Sequence, residues 1–280
     1  TVVAALAALA EDKVLADCDV DAADLHLLLD PSETRREPFY AGLEARIIAD
    51  RCSGCGACAD YCRFDAIHVV PSTNGRQVYA VDGLACEGCG LCARVCPSDA
   101  VEMMREPQGE WYLADTRRGP LVHARLNIGG ENSGKLVTQV RTEALALAQA
   151  SGLGLVLVDG PPGIGCPVIA SVTGADLVLL VTEPTTSGVH DLERVARLVQ
   201  GFGMDLAICI NKTDLNPLMA EKIRDFARTE GFPIVGELPY DTAVVRAQVE
   251  RKSIVEYGGS PVAEEIRHMW EQVEELLQKA

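Results

Sequence analysis

The residues best suited to chemistry in this chain are its cysteines, because eight of the eleven fall in two copies of one pattern. The first copy is Cys52, Cys55, Cys58 and Cys62; the second is Cys86, Cys89, Cys92 and Cys96, followed by Pro97. Both read Cys-x2-Cys-x2-Cys-x3-Cys, 34 residues apart, and the same offset aligns Asp65-Ala66-Ile67 with Asp99-Ala100-Val101. In such a run three closely spaced thiolates reach one iron–sulfur cubane and the fourth ligates the other. Cys52, Cys55, Cys58 and Cys96 are therefore assigned to one 4Fe–4S cluster, and Cys86, Cys89, Cys92 and Cys62 to a second. Cys-x2-Cys is also a zinc spacing. A third and fourth cysteine at fixed intervals, duplicated, point instead to iron and sulfide.

A second set of chemically capable residues is acidic. Leu155-Val156-Leu157-Val158-Asp159 is an apolar run ending in a carboxylate, followed by Gly160-Pro161-Pro162-Gly163-Ile164-Gly165. An acid at the C-terminal end of a buried parallel strand is placed to hold Mg2+ through water beside a nucleotide. The Gly-Pro-Pro-Gly turn builds a rigid loop able to sense a γ-phosphate. Upstream, Asp17, Asp19, Asp21 and Asp24 crowd the segment just past another strand; helix N-capping is the plain alternative for them.

The cysteine run resembles a bacterial ferredoxin with two 4Fe–4S clusters. It departs at Arg63, which stands where that pattern has Pro and puts a cation near a cluster, a change that shifts potential without removing a ligand. Asp17-Cys18-Asp19 before a helix, Asp159-Gly160-Pro161-Pro162-Gly163, Glu183-Pro184-Thr185, Asn211-Lys212 and Pro239-Tyr240-Asp241 together resemble the Mrp/MinD/ParA group of deviant P-loop ATPases. The whole chain is similar to MinD-superfamily ATPases carrying an inserted ferredoxin domain. That resemblance implies a homodimer sandwiching two MgATP, with hydrolysis switching its shape or affinity. Carried over by motif, Asp19 would orient the attacking water and Asp17 would support the metal site. Asp159 would bind Mg2+ through water, and Asn211 and Asp241 would lie near the base.

The same family opens with a strand and a Lys-Gly-Gly-x-Gly-Lys-Thr-Thr loop whose amides and lysines cradle phosphates. This chain opens on Thr1-Val2-Val3-Ala4-Ala5-Leu6, which looks like the helix after that loop. Thr1 matches the second Thr of the loop, or the Thr that ligates Mg2+. The resemblance thus implies an N-terminally truncated ATPase domain: an ATP hydrolase in its full-length form, with this shorter form expected to bind nucleotide poorly and to be inactive.

Three other features compete for attention. Gly129-Gly130-Glu131-Asn132-Ser133-Gly134-Lys135 satisfies Gly-x4-Gly-Lys, but Leu136 follows where a phosphate loop needs Ser or Thr, and Glu131 would face the phosphates. We read it as a loop next to the switch region. Asn211-Lys212-Thr213-Asp214 also spells the guanine-reading Asn-Lys-x-Asp, yet the surrounding motifs favour ATP. Cys166 follows Asp159 by seven residues, an interval at which the related nitrogenase iron protein bridges a cluster between subunits. The second cysteine needed for that is replaced by Asn132 and Ser133, so Cys166 reads as a switch-loop thiol. Cys18 and Cys209 sit in apolar strands and read as core residues.

The elements that must position these residues alternate. Strands are expected at Lys13–Asp17, Leu121–Ile128, Leu155–Asp159, Leu177–Thr182, Leu206–Asn211 and Pro233–Val235. Helices are expected at Gly134–Gln149, Gly188–Gln200, Pro217–Thr229 and Val262–Lys279, with a hairpin around Arg118-Gly119-Pro120. Strand–helix alternation favours an α/β fold with a mostly parallel sheet, matching the SIMIBI type of P-loop NTPase. Residues 1–44 and 107–280 would form the ATPase domain, and residues 45–106 an α+β ferredoxin domain in a surface loop, where insertions are tolerated. The C-terminal helix has an apolar stripe (Val262, Ile266, Met269, Trp270, Val273) opposite glutamates, which fits packing against the body better than an interfacial anchor.

Composition narrows the function. A charge of −16 disfavours nucleic acid and anionic membrane; it would suit a basic redox partner, although an acidic surface more often serves solubility alone. No apolar run is long enough to cross a bilayer, and the small apolar N-terminus lacks the basic region of a signal sequence. Cluster thiolates must stay reduced, so the cytoplasm is expected. The leading expectation is an ATP-binding protein that couples ATP binding and hydrolysis to electron transfer through two 4Fe–4S clusters. The alternatives are an Mrp-like carrier delivering clusters to an apo iron–sulfur acceptor, and a nucleotide-switched positioning protein with structural clusters.

Overall fold

The computed structural model describes residues 1–71, 77–130 and 132–279. In chain order it runs α1 (Val2–Leu9), β1 (Lys13–Asp17), α2 (Leu25–Leu29), β2 (Ser32–Tyr40), β3 (Glu44–Ile47), α3 (Ala57–Asp60), β4 (Ile67–Val70) and β5 (Val78–Val81). It continues with α4 (Leu91–Arg94), β6 (Val101–Met104), β7 (Pro107–Thr116), β8 (Gly119–Leu126), α5 (Ser133–Ser151), β9 (Leu155–Asp159), α6 (Cys166–Val172) and β10 (Leu177–Thr182). The last elements are α7 (Thr186–Gly201), β11 (Asp205–Asn211), α8 (Pro217–Glu230), β12 (Ile234–Leu238), α9 (Thr242–Val249), α10 (Ile254–Tyr257) and α11 (Pro261–Leu277). Two compact units result: Thr1–Arg36, Trp111–Arg125 and Ser133–Ala280 form the first, Glu37–Glu110 and Leu126–Asn132 the second.

The first unit is an α/β fold. One sheet has the order β2-β7-β8-β1-β9 and another the order β10-β11-β12. β1 pairs in parallel with both β8 and β9, and β10, β11 and β12 pair in parallel with one another. β1 is buried at every position, the signature of a strand covered on both faces. The two-residue link Arg117–Arg118 makes β7 and β8 a hairpin, as the Gly119-Pro120 turn predicts. β8 ends at Leu126, short of the expected Ile128, which is almost fully exposed. β2 has no apolar alternation and is largely exposed; it is an edge strand, with the Arg35 guanidinium over Trp111 and that of Arg36 over Tyr112.

One feature of this unit departs from a continuous sheet. β9 and β10 contribute Leu155, Leu157, Leu177 and Leu179 to a single core with Ala5, Leu6, Ile266, Met269 and Trp270. Yet among the described residues β9 ends one sheet, β10 ends the other, and no hydrogen bonds join them. β9 is consequently half-buried along its whole length while its neighbour β1 is fully buried. The apolar stripe of α11 is buried in this same core; each such side chain contributes about 1.5–3 kcal/mol. No helix among the described residues is long and apolar enough to cross a membrane.

The second unit carries the internal repeat into its backbone. β3 pairs antiparallel with β6, and β4 with β5. Equivalent residues adopt equivalent strained conformations: Asp65 and Asp99 have φ of 50° and 48°, and Ala66 and Ala100 behind them are both buried.

Candidate functional site

The cysteine loops fold around two concavities in the second unit. Cys52, Cys55, Cys58 and Cys96 line one together with Tyr79; Cys62, Cys86, Cys89 and Cys92 line the other together with Tyr61 and Phe64. Three thiols of each set come from one loop and its short helix, and the fourth from the other copy. Gly54 and Gly88 let the loops turn this tightly: both have positive φ, 76° and 63°, and a Cβ on Gly54 would meet the Gln77 carbonyl at 2.6 Å while one on Gly88 would collide with the Leu43 carbonyl. Only glycine tolerates both demands. No three acidic, His or Cys side chains among the described residues converge on a point where one metal ion would sit. Four thiols spread around a cavity fit the larger cubane, the group that the spacing implies.

The two sites differ in exposure. Cys52 and Cys58 are buried, whereas Cys86 and Cys92 are half-buried; Cys55 and Cys89 are exposed. Burial pushes the Cys58 and Cys92 thiols up. At Cys96 burial also opposes ionisation, but the Ala100 N–H, 3.2 Å from Sγ, and Ser98 bring the thiol below its usual value.

In the first unit the acids gather at the C-terminal ends of the parallel strands. Asp17 and Asp159 are register partners on β1 and β9. Asp17 is buried; its carboxylate accepts from the Asp19 N–H at 3.2 Å and from the Leu25 N–H, at the start of α2, at 3.3 Å. Burial first, then the facing Asp159, pushes Asp17 up to about 7. Burial likewise pushes Asp159 up to about 6, opposed by the positive α-amino group of Thr1. That places Thr1 beside Asp159, and the Thr1 hydroxyl accepts from the Gln248 side-chain amide at 2.7 Å. Asp19, half-buried and raised by burial, stands on the turn between β1 and α2, where the Ala22 N–H donates to its carbonyl.

The remaining expected residues lie at the ends of β11 and β12. The Asn211 amide donates to Glu183 Oε1 at 3.5 Å, and the Lys212 ammonium meets the same oxygen at 2.6 Å. Lys212 holds a φ of 55°. The Asp214 carboxylate accepts from the Tyr240 N–H at 2.6 Å, tying the Asn-Lys-x-Asp turn to the loop after β12. Asp241 caps α9, accepting from the Ala243 N–H and the Ser260 hydroxyl. Sequence reasoning missed Glu183 as the common partner of Asn211 and Lys212. Only three-dimensional proximity assigns it.

The other motifs resolve plainly. The Gly130 N–H donates to the Asn127 carbonyl, and the Asn127 N–H to the Gln108 carbonyl, so the Gly129-Gly130 loop uses its amides in a turn; Glu131 lies outside the described residues. Cys166 opens α6 and is exposed, packed against Gly134. Cys18 and Cys209 are core thiols, pushed up to about 12 by burial.

Comparison with known proteins finds relatives of both the cysteine-rich segment and the remainder of the chain. Residues 51–100 match the family model of the 4Fe-4S dicluster domain. Uncharacterized protein MJ0578 of Methanocaldococcus jannaschii is 32% identical over 266 residues, 94% of this chain and 86% of that protein. The putative septum site-determining protein MinD of Chlorella vulgaris is 31% identical over 100 residues, 34% of this chain and 35% of the other. Among solved structures, the septum site-determining protein MinD complexed with Mg-ADP from Pyrococcus horikoshii superposes with a TM-score of 0.56 at 15% identity, covering 98% of this chain and 88% of that one.

Proposed function

We propose, from the premise that this chain belongs to the MinD/ParA-type P-loop ATPases that carry a ferredoxin domain, that it gates electron transfer through two 4Fe–4S clusters by binding and hydrolysing MgATP. The observation that carries the reading is the pairing of Asp17 with Asp159 at the C-terminal ends of two parallel strands, in a chain whose other unit gathers four thiols around each of two cavities. Two carboxylates raised by burial and by neighbouring acids, Asp159 acting on Asp17 and Asp24 and Asp19 on Asp159, are a site short of positive charge, and Mg2+ with a nucleotide supplies it. Asp159 would hold the Mg2+ through water, Asp19 on the adjoining turn would orient the attacking water, and Asp17, fixed by two backbone amides, would keep that turn in place. Asn211 and Asp241 would border the base, in a homodimer whose closure follows nucleotide state.

The unjoined edges of β9 and β10 support a further strand entering between them in the full-length protein. Such a strand would run parallel to both, end beside Asp159 and Thr1, and present a phosphate-binding loop there. The clusters, held by Cys52, Cys55, Cys58 and Cys96 and by Cys86, Cys89, Cys92 and Cys62, would each supply one-electron redox chemistry.

The test is anaerobic. With the full-length protein, MgATP is expected to change the reduction potential of the clusters or their electron-transfer rate to an acceptor. Release of intact clusters to an apo iron–sulfur acceptor favours the carrier reading. No effect of nucleotide on either behaviour removes the coupling.

A further inference from the structure

The repeat provides an internal control for the surface around each cluster site, because equivalent positions share one backbone plan and differ only in side chain. Tyr61 and Phe64, which line the second site, and Leu84, two residues before its Cys86, are 59%, 45% and 72% exposed. Thirty-four residues away, their equivalents at the first site are Val95, Ser98 and Asp50. The fold therefore does not require an aromatic or leucine side chain at these three places: the first copy keeps an apolar residue only at Val95, the smallest of the substitutions, and has polar ones at the other two. Leu43, whose main chain lies against Gly88 in the second loop, is also exposed.

Charge divides in the same way. Asp60, Asp65, Asp82 and Glu87 are exposed around the second site, against Arg63. The equivalents at the first site are Arg94, Asp99, Ile48 and Ser53, with Pro97 in place of Arg63. Asp50 also lies there, beside Arg51, which is ion-paired with Glu102, so the two cations Arg51 and Arg94 leave the first site less acidic than the second. The second site thus combines half-buried thiols, an apolar centre and an acidic rim. A few exposed apolar side chains match the small, transient interfaces of redox encounters, and an acidic rim accelerates association with a basic partner.

We propose that the pole formed by Tyr61, Phe64 and Leu84 is the docking face for a one-electron redox protein whose own centre lies under a small apolar surface ringed by Lys and Arg. The inference rests on the electron-transfer reading above and assigns the second site, rather than the first, as the point of exchange with a partner. One electron lost at this pole is gained by the partner's centre, with no bond or proton changing hands.

Mitochondrial cytochrome c, basic and with an apolar haem edge, serves as the probe. With both proteins oxidised, hydrogen exchange is expected to slow at residues 61–64 and 82–89 of the cluster-loaded protein when cytochrome c is added, and salt is expected to abolish the effect. With the protein reduced by dithionite, Phe64→Ser and Leu84→Ser are each expected to lower the second-order rate of cytochrome c reduction by about tenfold, as loss of a hot-spot side chain does. Asp50→Ser and Val95→Ser, at the other pole, are expected to stay within about twofold, as rim positions do. Electron paramagnetic resonance of the reduced variants verifies that both clusters are present. Protection at residues 50–55 instead, or equal rates in all four variants, overturns the docking face while leaving the electron-transfer reading in place. Clusters that assemble but do not reduce and reoxidise reversibly overturn both.

Discussion

Asp17 and Asp159 face each other across two adjacent parallel strands, in register. Both carboxyls are raised by burial, Asp17 to about 7 and Asp159 to about 6. A raised acid favours the folded state below its unfolded value, 3.8 here, and loses that contribution as pH rises through its folded value. Asp159→Asn is therefore expected to raise the melting temperature of the nucleotide-free protein at about pH 8, with the gain vanishing towards about pH 4. If the proposed Mg2+ role of Asp159 holds, the same change in the full-length protein also removes Mg2+-dependent stabilisation by ATP. A variant that melts lower than the parent at high pH contradicts the argument.

Cys62 belongs to the first copy by sequence and lines the cavity of the second. Anaerobically reconstituted protein is expected to hold about eight iron and eight sulfide per chain. Cys62→Ser is expected to lower both to about four by weakening the second cluster, and Cys209→Ala, at a buried core thiol, to change neither. Metal and acid-labile sulfide analysis checks this, and stoichiometric zinc in place of iron would reverse the cofactor assignment.

Glu256 ties the β7–β8 hairpin to α10. Its carboxylate accepts from Arg117 and Arg118 and, in a capping box, from the Ser253 N–H. Burial alone would raise this acid, but those donors bring it down from 4.5 to about 2. The contribution is complete above the unfolded value and is lost as pH falls from about 4.5 to about 2. Glu256→Gln is expected to cost on the order of 1–2 kcal/mol at neutral pH, less than a fully buried pair because both arginines are partly exposed and screened by solvent, and less as the medium is acidified. Urea titrations at several pH values measure it.

His123 stacks between His26 and Tyr112, at centroid distances of 5.6 and 4.8 Å. Its Nε2 and the Nδ1 of His26 are buried without hydrogen-bond partners. Burial, then His26, pushes His123 from 6.5 down to about 4. Stability from keeping it neutral is complete above the unfolded value and is lost as pH falls from about 6.5 to about 4. His123→Phe keeps the stack and removes that dependence. Its melting temperature is expected to gain on the parent steadily between about pH 7.5 and about pH 5; a constant difference shows that His123 does not titrate in this way.

Much of the fold is written in local patterns. The bounds of β1, β9 and β10 coincide with the expected ones because uninterrupted apolar runs ended by Asp or Thr leave no alternative register. The long helices α5, α7, α8 and α11 follow from their apolar spacing, shifted by one or two residues at most at each end. β2 was not legible: Ser32–Tyr40 is an exposed edge whose charged side chains carry no period. Nor were α9 and α10, short helices set by caps at Asp241 and Ser253 rather than by periodicity. At the candidate site, residue types and spacing indicated the cysteines and Asp159. The glutamate shared by Asn211 and Lys212 comes from a separate strand end, 28 residues from Asn211, and the amides that fix Asp17 depend on the course of the turn into α2; neither has a residue-type signal.

The open edges of β9 and β10 bear on how this polypeptide behaves at high concentration. Unpaired edge strands with apolar residues accept any extended segment of suitable pattern. Parallel pairings between distant segments also form slowly, so a competing chain has time to engage first. Handling losses are therefore expected to grow with protein concentration and to start from β9 and β10, whereas a segment seated between them would turn two separately yielding half-sheets into one cooperative block.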